Sequence, residues 1–479
     1  MRLRTQGVVV DIFWNFFQRG GSLLISFISN MVLARLLTPD DFGCVGIILI
    51  FVSIADLFID SGLGAALIQK KDVVQKDYNT VYTVNFAISL FLYTLIFISA
   101  PFFARFFVVQ DLDVYLRVVS VSILIRAFFV VQSADLLKNF RYKELSISGI
   151  IATASSVLIA IIMAWKGFGV WSLVAKNIVQ PLVMCILYRI CSHIHTQFGF
   201  DRDSFKELFG FGWFVMLTSL IDVVYSNSVS LIVGKRYTVK ELGYYNQASS
   251  LQQIPSYSLA MVINQVLFPH MAKIHDNKEL MKAYSQRVMI VATFVIFPIM
   301  IYLISFAKPL VVLLYSAKWL PAAVFFQILC IEGIVHSLIH INRQILKALG
   351  ETKLLFRIQV VIFIVGIIFL LIAQTFSIVA LTWSLVFCSF VNWILLAFIT
   401  GKRIGYSIRN QISDMASSLI ISVLTMLMVN VLIKNWNLSP ISTLLISGIF
   451  FLVAYCAFSF LLKTKGFKMT YALCFNSVN

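Results

Sequence analysis

The sequence predicts an all-α integral membrane protein of about fourteen transmembrane helices. Apolar segments of about 20 residues recur from Asp11 to Lys463, each long enough to cross a hydrocarbon core of roughly 30 Å at about 1.5 Å of rise per residue. The chain is 60% hydrophobic and only 12% charged, where a soluble domain carries about 25% charged residues. Its mean hydropathy is +0.92. No polar stretch longer than about 20 residues is left over for a soluble catalytic domain.

In order, the spans fall at 11–37, 42–66, 81–103, 112–137, 146–165 and 170–191. After a polar connection they resume at 209–233, 243–267, 286–307, 321–344, 355–375 and 378–399, and two more follow at 413–433 and 441–462. Turn residues such as Thr38-Pro39-Asp40-Asp41 separate the first span from the second. Such residues favour caps and turns over helix interiors. Arg2 and Arg4 precede the first span, but no small-residue cleavage site follows it, so it reads as a retained helix.

The net charge of +17 would point to nucleic acid in a soluble protein. Here it is topological. About 25 of the 38 Lys and Arg cluster on one side, at Lys70-Lys71, Lys138/Arg141/Lys143, Arg343/Lys347, Lys402-Arg403 and Lys463/Lys465. Basic residues concentrate in cytoplasmic loops, so both termini are expected in the cytoplasm and no nucleic-acid partner is expected. Seven cysteines, mostly within apolar runs and without paired spacing, fit neither a disulfide framework nor a zinc site.

The chain repeats internally. Leu33-Ala-Arg-Leu-Leu-Thr-Pro-Asp-Asp-Phe-Gly43 returns as Val233-Gly-Lys-Arg-Tyr-Thr-Val-Lys-Glu-Leu-Gly243, an offset of 200 residues. A weaker pair, Leu137-Lys138 and Leu346-Lys347, leaves the fourth span of each half. This divides the chain into a six-helix bundle over 1–191, a cytoplasmic linker over 192–208, a second six-helix bundle over 209–400, and helices 13 and 14 with a tail over 401–479. Parallel repeats place a substrate site between the halves near the midplane.

Charges deep in a bilayer are costly and normally face a partner or a wet cavity. Arg19 lies about nine residues into the first span, roughly 13 Å deep, on a polar face with Asn15, Ser22, Ser26 and Asn30. Arg126, and Lys176 with Gln180, are similarly deep. Two readings stay open for these three cations. They either pair internally with Asp56, Asp60 or Asp135, or they form a cationic cavity wall for an anionic substrate, with Asn15 and Gln180 beside them. Arg suits a phosphate because its planar fork donates two parallel hydrogen bonds. In the second half, Asp222 shares a helix face with Ser219, Ser226 and Ser230, and Glu332, His336 and His340 stand at i, i+4 and i+8. They form either a protonatable, ion-coupling stripe or a plain hydrogen-bonded seam between helices. His336-x-x-x-His340 lacks the HExxH context of a zinc enzyme, so no metal is expected. Asp111-x-Asp113 sits in a tight turn without a nucleotide-binding fold, and no P-loop or hydrolase elbow occurs, so neither enzyme activity nor a cofactor is expected.

The cluster 33–43, then Asp60-Ser-Gly-Leu-Gly-Ala-Ala-Leu-Ile-Gln69, resembles the start of bacterial polysaccharide flippases of the Wzx/PST type. Phe140-Arg-Tyr-Lys143, Gly167-Phe-Gly-Val-Trp-Ser-Leu-Val174, Leu242-Gly-Tyr-Tyr-Asn246, Phe268-Pro269, Phe297-Pro298 and Lys318-Trp319 continue it over about residues 8–400. The resemblance implies a MATE-like fold of the MOP superfamily and an inner-membrane flippase. Such a protein moves undecaprenyl-pyrophosphate-linked oligosaccharide repeat units outward for O-antigen, capsule or exopolysaccharide assembly. Implied partners are the lipid-linked oligosaccharide, membrane lipids, a polysaccharide polymerase and other assembly proteins. By analogy with lipid II flippases, helices 13 and 14 are expected to shelter the polyprenyl tail. The alternative is a MATE-like multidrug/cation antiporter, which would want acidic cavity walls where this chain offers three deep cations.

Overall fold

The computed structural model describes residues 2–60, 62–192, 194–274, 276–434, 436 and 439–475, and every regular element among them is helical. By contact the chain divides into two compact units, Met1–Gly243 and Tyr244–Asn479.

The first unit holds α1 (Arg2–Leu36), α2 (Pro39–Asp60), α3 (Leu63–Gln69), α4 (Gln75–Phe107), α5 (Leu112–Val119), α6 (Val121–Ala127), α7 (Val130–Lys138), α8 (Tyr142–Trp165), α9 (Val170–Cys191), α10 (Arg202–Arg236) and the first turn of α11 (Val239–Lys273). α8 is its central packing element, set between α1 and α9. Gly149, Ala152, Ser156, Ala160 and Ala164 recur every three or four residues on α8 and are all buried. Small residues let backbones approach where lipid offers no hydrophobic drive for helix association. A Cβ on Gly149 would lie 2.8 Å from Gln18 Nε2, and Ser146 Oγ donates to the Trp14 carbonyl of α1 at 2.8 Å.

The second unit holds the rest of α11, then α12 (Lys278–Ser305), α13 (Ala307–Tyr315), α14 (Ala322–Ala348), α15 (Thr352–Ala373), α16 (Ile378–Ile404), α17 (Ile408–Ile433), α18 (Pro440–Leu461) and α19 (Lys465–Phe475). α14 is packed by α12 and α16, and its buried face joins Val335, Leu338 and Ile345 to Met289, Trp393 and Leu396. Gly333 sits where a Cβ would come within 2.2 Å of Gln252 Nε2 on α11, so a side chain there would displace the end of that amide.

Ten helices of the described residues are long and apolar enough to cross a membrane, or eleven if the bent pair Leu112–Ala127 and Val130–Lys138 is one span. That pair departs from the single helix expected over 112–137. It bends by 41° because Phe129 leaves helical geometry, at φ −125° and ψ −3°. The span expected at 42–66 lies within one candidate span, Pro39–Gln69. α4 begins six residues earlier than expected, since Asp77 accepts from the Val74 N–H at 3.0 Å and caps the polar turn. Two segments outside the expected spans are helical: α13, closed by a 3-10 turn around the fully buried Trp319, and α19 in the tail.

Candidate functional site

In the first unit the structure treats the three expected cations differently. Arg126, at the end of α6, lies with its Nε 3.1 Å from Asp56 Oδ1 on α2, both side chains about a quarter exposed. The contact is an ion pair without an aligned hydrogen bond between these two atoms. Asp135, the other expected partner among the described side chains, is engaged elsewhere: it accepts from Asn139 Nδ2 at 2.6 Å and from Ser192 Oγ at 3.3 Å. Lys176 on α9 is half-buried, and no salt bridge to it occurs among the described residues. One turn further on, Gln180 Nε2 donates to Thr153 Oγ1 of α8 at 3.4 Å, so α9 presents both residues from a helix fixed against α8. The side chains of Asn15, Arg19 and Asp60 lie outside the described residues.

On α10, Asp222 and Ser226 are exposed, Ser219 is half-buried and Ser230 is buried. The polar face expected there therefore runs from open surface into packing. Beside it, Asn227 Nδ2 donates to Ser53 Oγ of α2 at 3.1 Å.

In the second unit the stripe on α14 is continuous. Glu332 Oε1 accepts from Ser389 Oγ of α16 at 3.0 Å. One turn on, the His336 and His340 rings meet edge to face, their centroids 4.6 Å apart. All three side chains are half-buried. Gln252 and Ser256 of α11, hydrogen-bonded to each other at 2.7 Å, pack on Gly333 beside the carboxylate. No group of three or more metal-ligating side chains occurs among the described residues.

Two features went unread in the sequence. Asn342 and Gln411 exchange hydrogen bonds of 3.1 and 3.0 Å while fully buried, tying α14 to α17. Next to them the Tyr406 hydroxyl donates to Asp414 at 3.1 Å, and Lys465 lies 3.6 Å from the same carboxylate. The other feature is the connection expected as a linker, which lies extended along the start of α4. Gln75 Nε2 donates to the His195 carbonyl at 2.8 Å, Asn79 Oδ1 accepts from the Gln197 N–H at 3.1 Å, and Thr83 both donates to and accepts from the Gly199 backbone at 2.9 Å. Phe198 packs against Tyr82 and Phe86. Lys70 closes this edge by reaching Asp77 at 3.1 Å and Glu207 at 2.8 Å, and the hydrogen bond it donates to Glu207 raises its pKa above the ordinary lysine value.

Two units of long apolar helices, with polar stripes on α9, α10 and α14, define a multi-pass membrane protein. The overall path matches the lipid II flippase MurJ in its inward closed conformation, with a TM-score of 0.77 over 95% of this chain and 98% of that one, at 15% identity. An inward-facing MATE family transporter of the MOP superfamily matches with a TM-score of 0.61 over 80% and 94% of the two chains, also at 15% identity. The expected all-helical, MATE-like fold is therefore the observed one.

The family follows from the sequence match. Residues 32–324, more than half the chain, match the model of the polysaccharide biosynthesis protein family, and the chain belongs to that family. Among relatives, the teichuronic acid biosynthesis protein TuaB of Bacillus subtilis is 27% identical over 305 residues, 63% of each chain. The succinoglycan biosynthesis transport protein ExoT of Rhizobium meliloti is 23% identical over 73% of this chain and 71% of its own. The match thus spans a little under two thirds of TuaB.

Proposed function

We propose that this protein is a flippase that carries undecaprenyl-pyrophosphate-linked oligosaccharide repeat units across the bacterial inner membrane by alternating access, for assembly of O-antigen, capsule or exopolysaccharide. The observation that carries the reading is membership of the polysaccharide biosynthesis family on a chain whose fold follows a lipid II flippase over 95% of its length. The drug-antiporter alternative has the weaker support, because the matched family is one of polysaccharide biosynthesis.

In this reading fourteen spans form two six-helix bundles, 1–191 and 209–400, joined by 192–208, with both termini in the cytoplasm. The count of fourteen adds α1, α10 and α11, each 35 residues long, to the eleven spans reached when the bent pair is one span. Arg19, Arg126 and Lys176, with Asn15 and Gln180, receive the pyrophosphate. Lys176 supports this because a half-buried ammonium on a spanning helix is costly unless it meets an anion or water. The Arg126–Asp56 pair supports it too, since a phosphate offers the guanidinium a bidentate geometry that the misaligned carboxylate does not. Asp222, exposed on a spanning helix, belongs against water, and it and the Glu332/His336/His340 stripe are the ion-coupling candidates. Part of the polyprenyl tail lies against the apolar groove between α17 and α18, a cavity of about 90 Å³ lined by Val429, Leu432, Ile433, Trp436 and Phe450. A polymerase and other assembly proteins take up the flipped product.

Deleting the gene in the native bacterium tests the proposal. Lipid-linked repeat units should accumulate on the cytoplasmic leaflet while surface polysaccharide falls. Unchanged surface polysaccharide with altered sensitivity to cationic drugs would overturn it.

A further inference from the structure

The repeated sequence has a physical counterpart at one end of the first unit. Gly43, in the first turn of α2, is placed so that a Cβ would lie 1.8 Å from the Val239 carbonyl oxygen. Gly243, in the first turn of α11, is placed so that its Cβ would lie 1.9 Å from the Pro39 carbonyl oxygen. Each contact is the image of the other under the offset of 200: residue 43 on 239, residue 243 on 39. Neither position tolerates a side chain, because the opposing atom is backbone and has nowhere to go.

The flanking turns are matched as well. Thr38 donates to and accepts from Asp41, through its hydroxyl at 2.7 Å and the return N–H at 3.3 Å, and Thr238 does the same with Glu241 at 2.9 and 3.2 Å. Both are capping boxes, which satisfy the free N–H groups of a helix start from within its own turn. Each turn thus closes these hydrogen bonds within itself.

The contact extends inward as a seam. A Cβ on Gly234 of α10 would touch Ile47 of α2 and Phe107 of α4 at 3.3 Å, and Asn227 bonds to Ser53 deeper still. Ten residues of α2 from Gly43 to Ser53 make this seam about 15 Å long. In its outermost layer the two helix starts meet backbone to backbone, with the Val239 side chain beside Gly43.

From these contacts we infer that Gly43 and Gly243 form a paired glycine seal that closes the translocation path at the end the charge bias assigns outside, and that parts as two intact capped turns when substrate is released. The inference rests on the alternating-access reading above. The glycines let the helices close to backbone contact, and the self-contained caps let them separate without unfolding.

The test pairs two measurements on the full-length protein in cells. In the first, Asp40→Cys and Lys240→Cys, both exposed and each next to a contacting carbonyl, are joined by a thiol-cleavable bifunctional methanethiosulfonate. Export should fall about tenfold or more on joining and return on reduction, with either single variant unaffected, as expected if the closed state must give way in every cycle. In the second, Ser53→Cys is probed with a membrane-impermeant maleimide added outside. Gly43→Val should raise its labelling about tenfold by wedging the seam open. Joined protein that exports at the unjoined rate, or equal labelling with glycine and valine at position 43, overturns the seal. Size-exclusion profiles confirm that the valine variant is folded, and Gly43→Ala gives a milder wedge if it is not. Labelling needs no substrate, so a chain that never exports lipid-linked sugar refutes the flippase reading while the maleimide result still decides the seal.

Discussion

Reversing the Arg126–Asp56 pair separates its structural role from its role toward substrate. At 3.1 Å, two unit charges attract by about 5 kcal/mol at an effective dielectric of roughly 20. Both side chains are about a quarter exposed, and solvent screening reduces the net contribution to about 2–3 kcal/mol. Asp56→Asn and Arg126→Gln should each lower stability by about that amount, because each leaves one half-buried group without its partner. The exchange Asp56→Arg with Arg126→Asp should recover half or more of the loss. The assay is a double-mutant cycle on detergent-purified protein titrated with SDS, with polysaccharide export measured in cells carrying each variant. Export should stay low in the exchanged protein, since a carboxylate then stands where the pyrophosphate needs a guanidinium. A coupling energy below about 0.5 kcal/mol would refute the pair, and export at the unmodified rate in the exchanged protein would refute the substrate role of Arg126.

Three other outcomes are expected. Asn342→Leu should cost about 1–3 kcal/mol, two interhelical hydrogen bonds at about 0.6–1.7 kcal/mol each, and adding Gln411→Leu should cost less than the sum of the single changes; additive costs in SDS titration would contradict the reciprocal pair. Glu332→Gln should slow transport; unchanged gradient-driven transport in both this variant and Asp222→Asn removes these carboxylates from coupling. Trp436→Ala, which opens the α17–α18 groove, should reduce photo-crosslinking of a polyprenyl probe to residues 408–461, and labelling confined to residues before 400 would contradict the groove.

Much of the fold was legible because lipid imposes a simple rule: every span must be about 20 apolar residues of helix. The breaks were less so. Whether Phe129 leaves the helix depends on what packs around α6 and α7, and hydropathy is blind to that. The stripe Glu332/His336/His340 was readable from its spacing of four, and Asp56 was among the expected partners of Arg126. Ser389, by contrast, lies 57 residues from Glu332, and no local pattern announces it. The docking of 194–201 along α4 was hidden for the same reason. Its bonds join backbone groups to Gln75, Asn79, Thr80 and Thr83, residues that in sequence look only like a polar helix start. The 200-residue repeat was visible, but its meaning at Gly43 and Gly243 required knowing which carbonyl each glycine meets.

The most direct measurement is transport into inverted inner-membrane vesicles containing this protein alone. A polyprenyl-pyrophosphate oligosaccharide, labelled on the sugar, is added outside, where the former cytoplasmic leaflet now faces. The flippase reading predicts time-dependent protection of the sugar from an added glycosidase, dependent on the protein and lost when Arg126 and Lys176 are both changed to glutamine. Sugar that stays fully accessible in vesicles that nonetheless take up a cationic dye under an imposed pH gradient would contradict it.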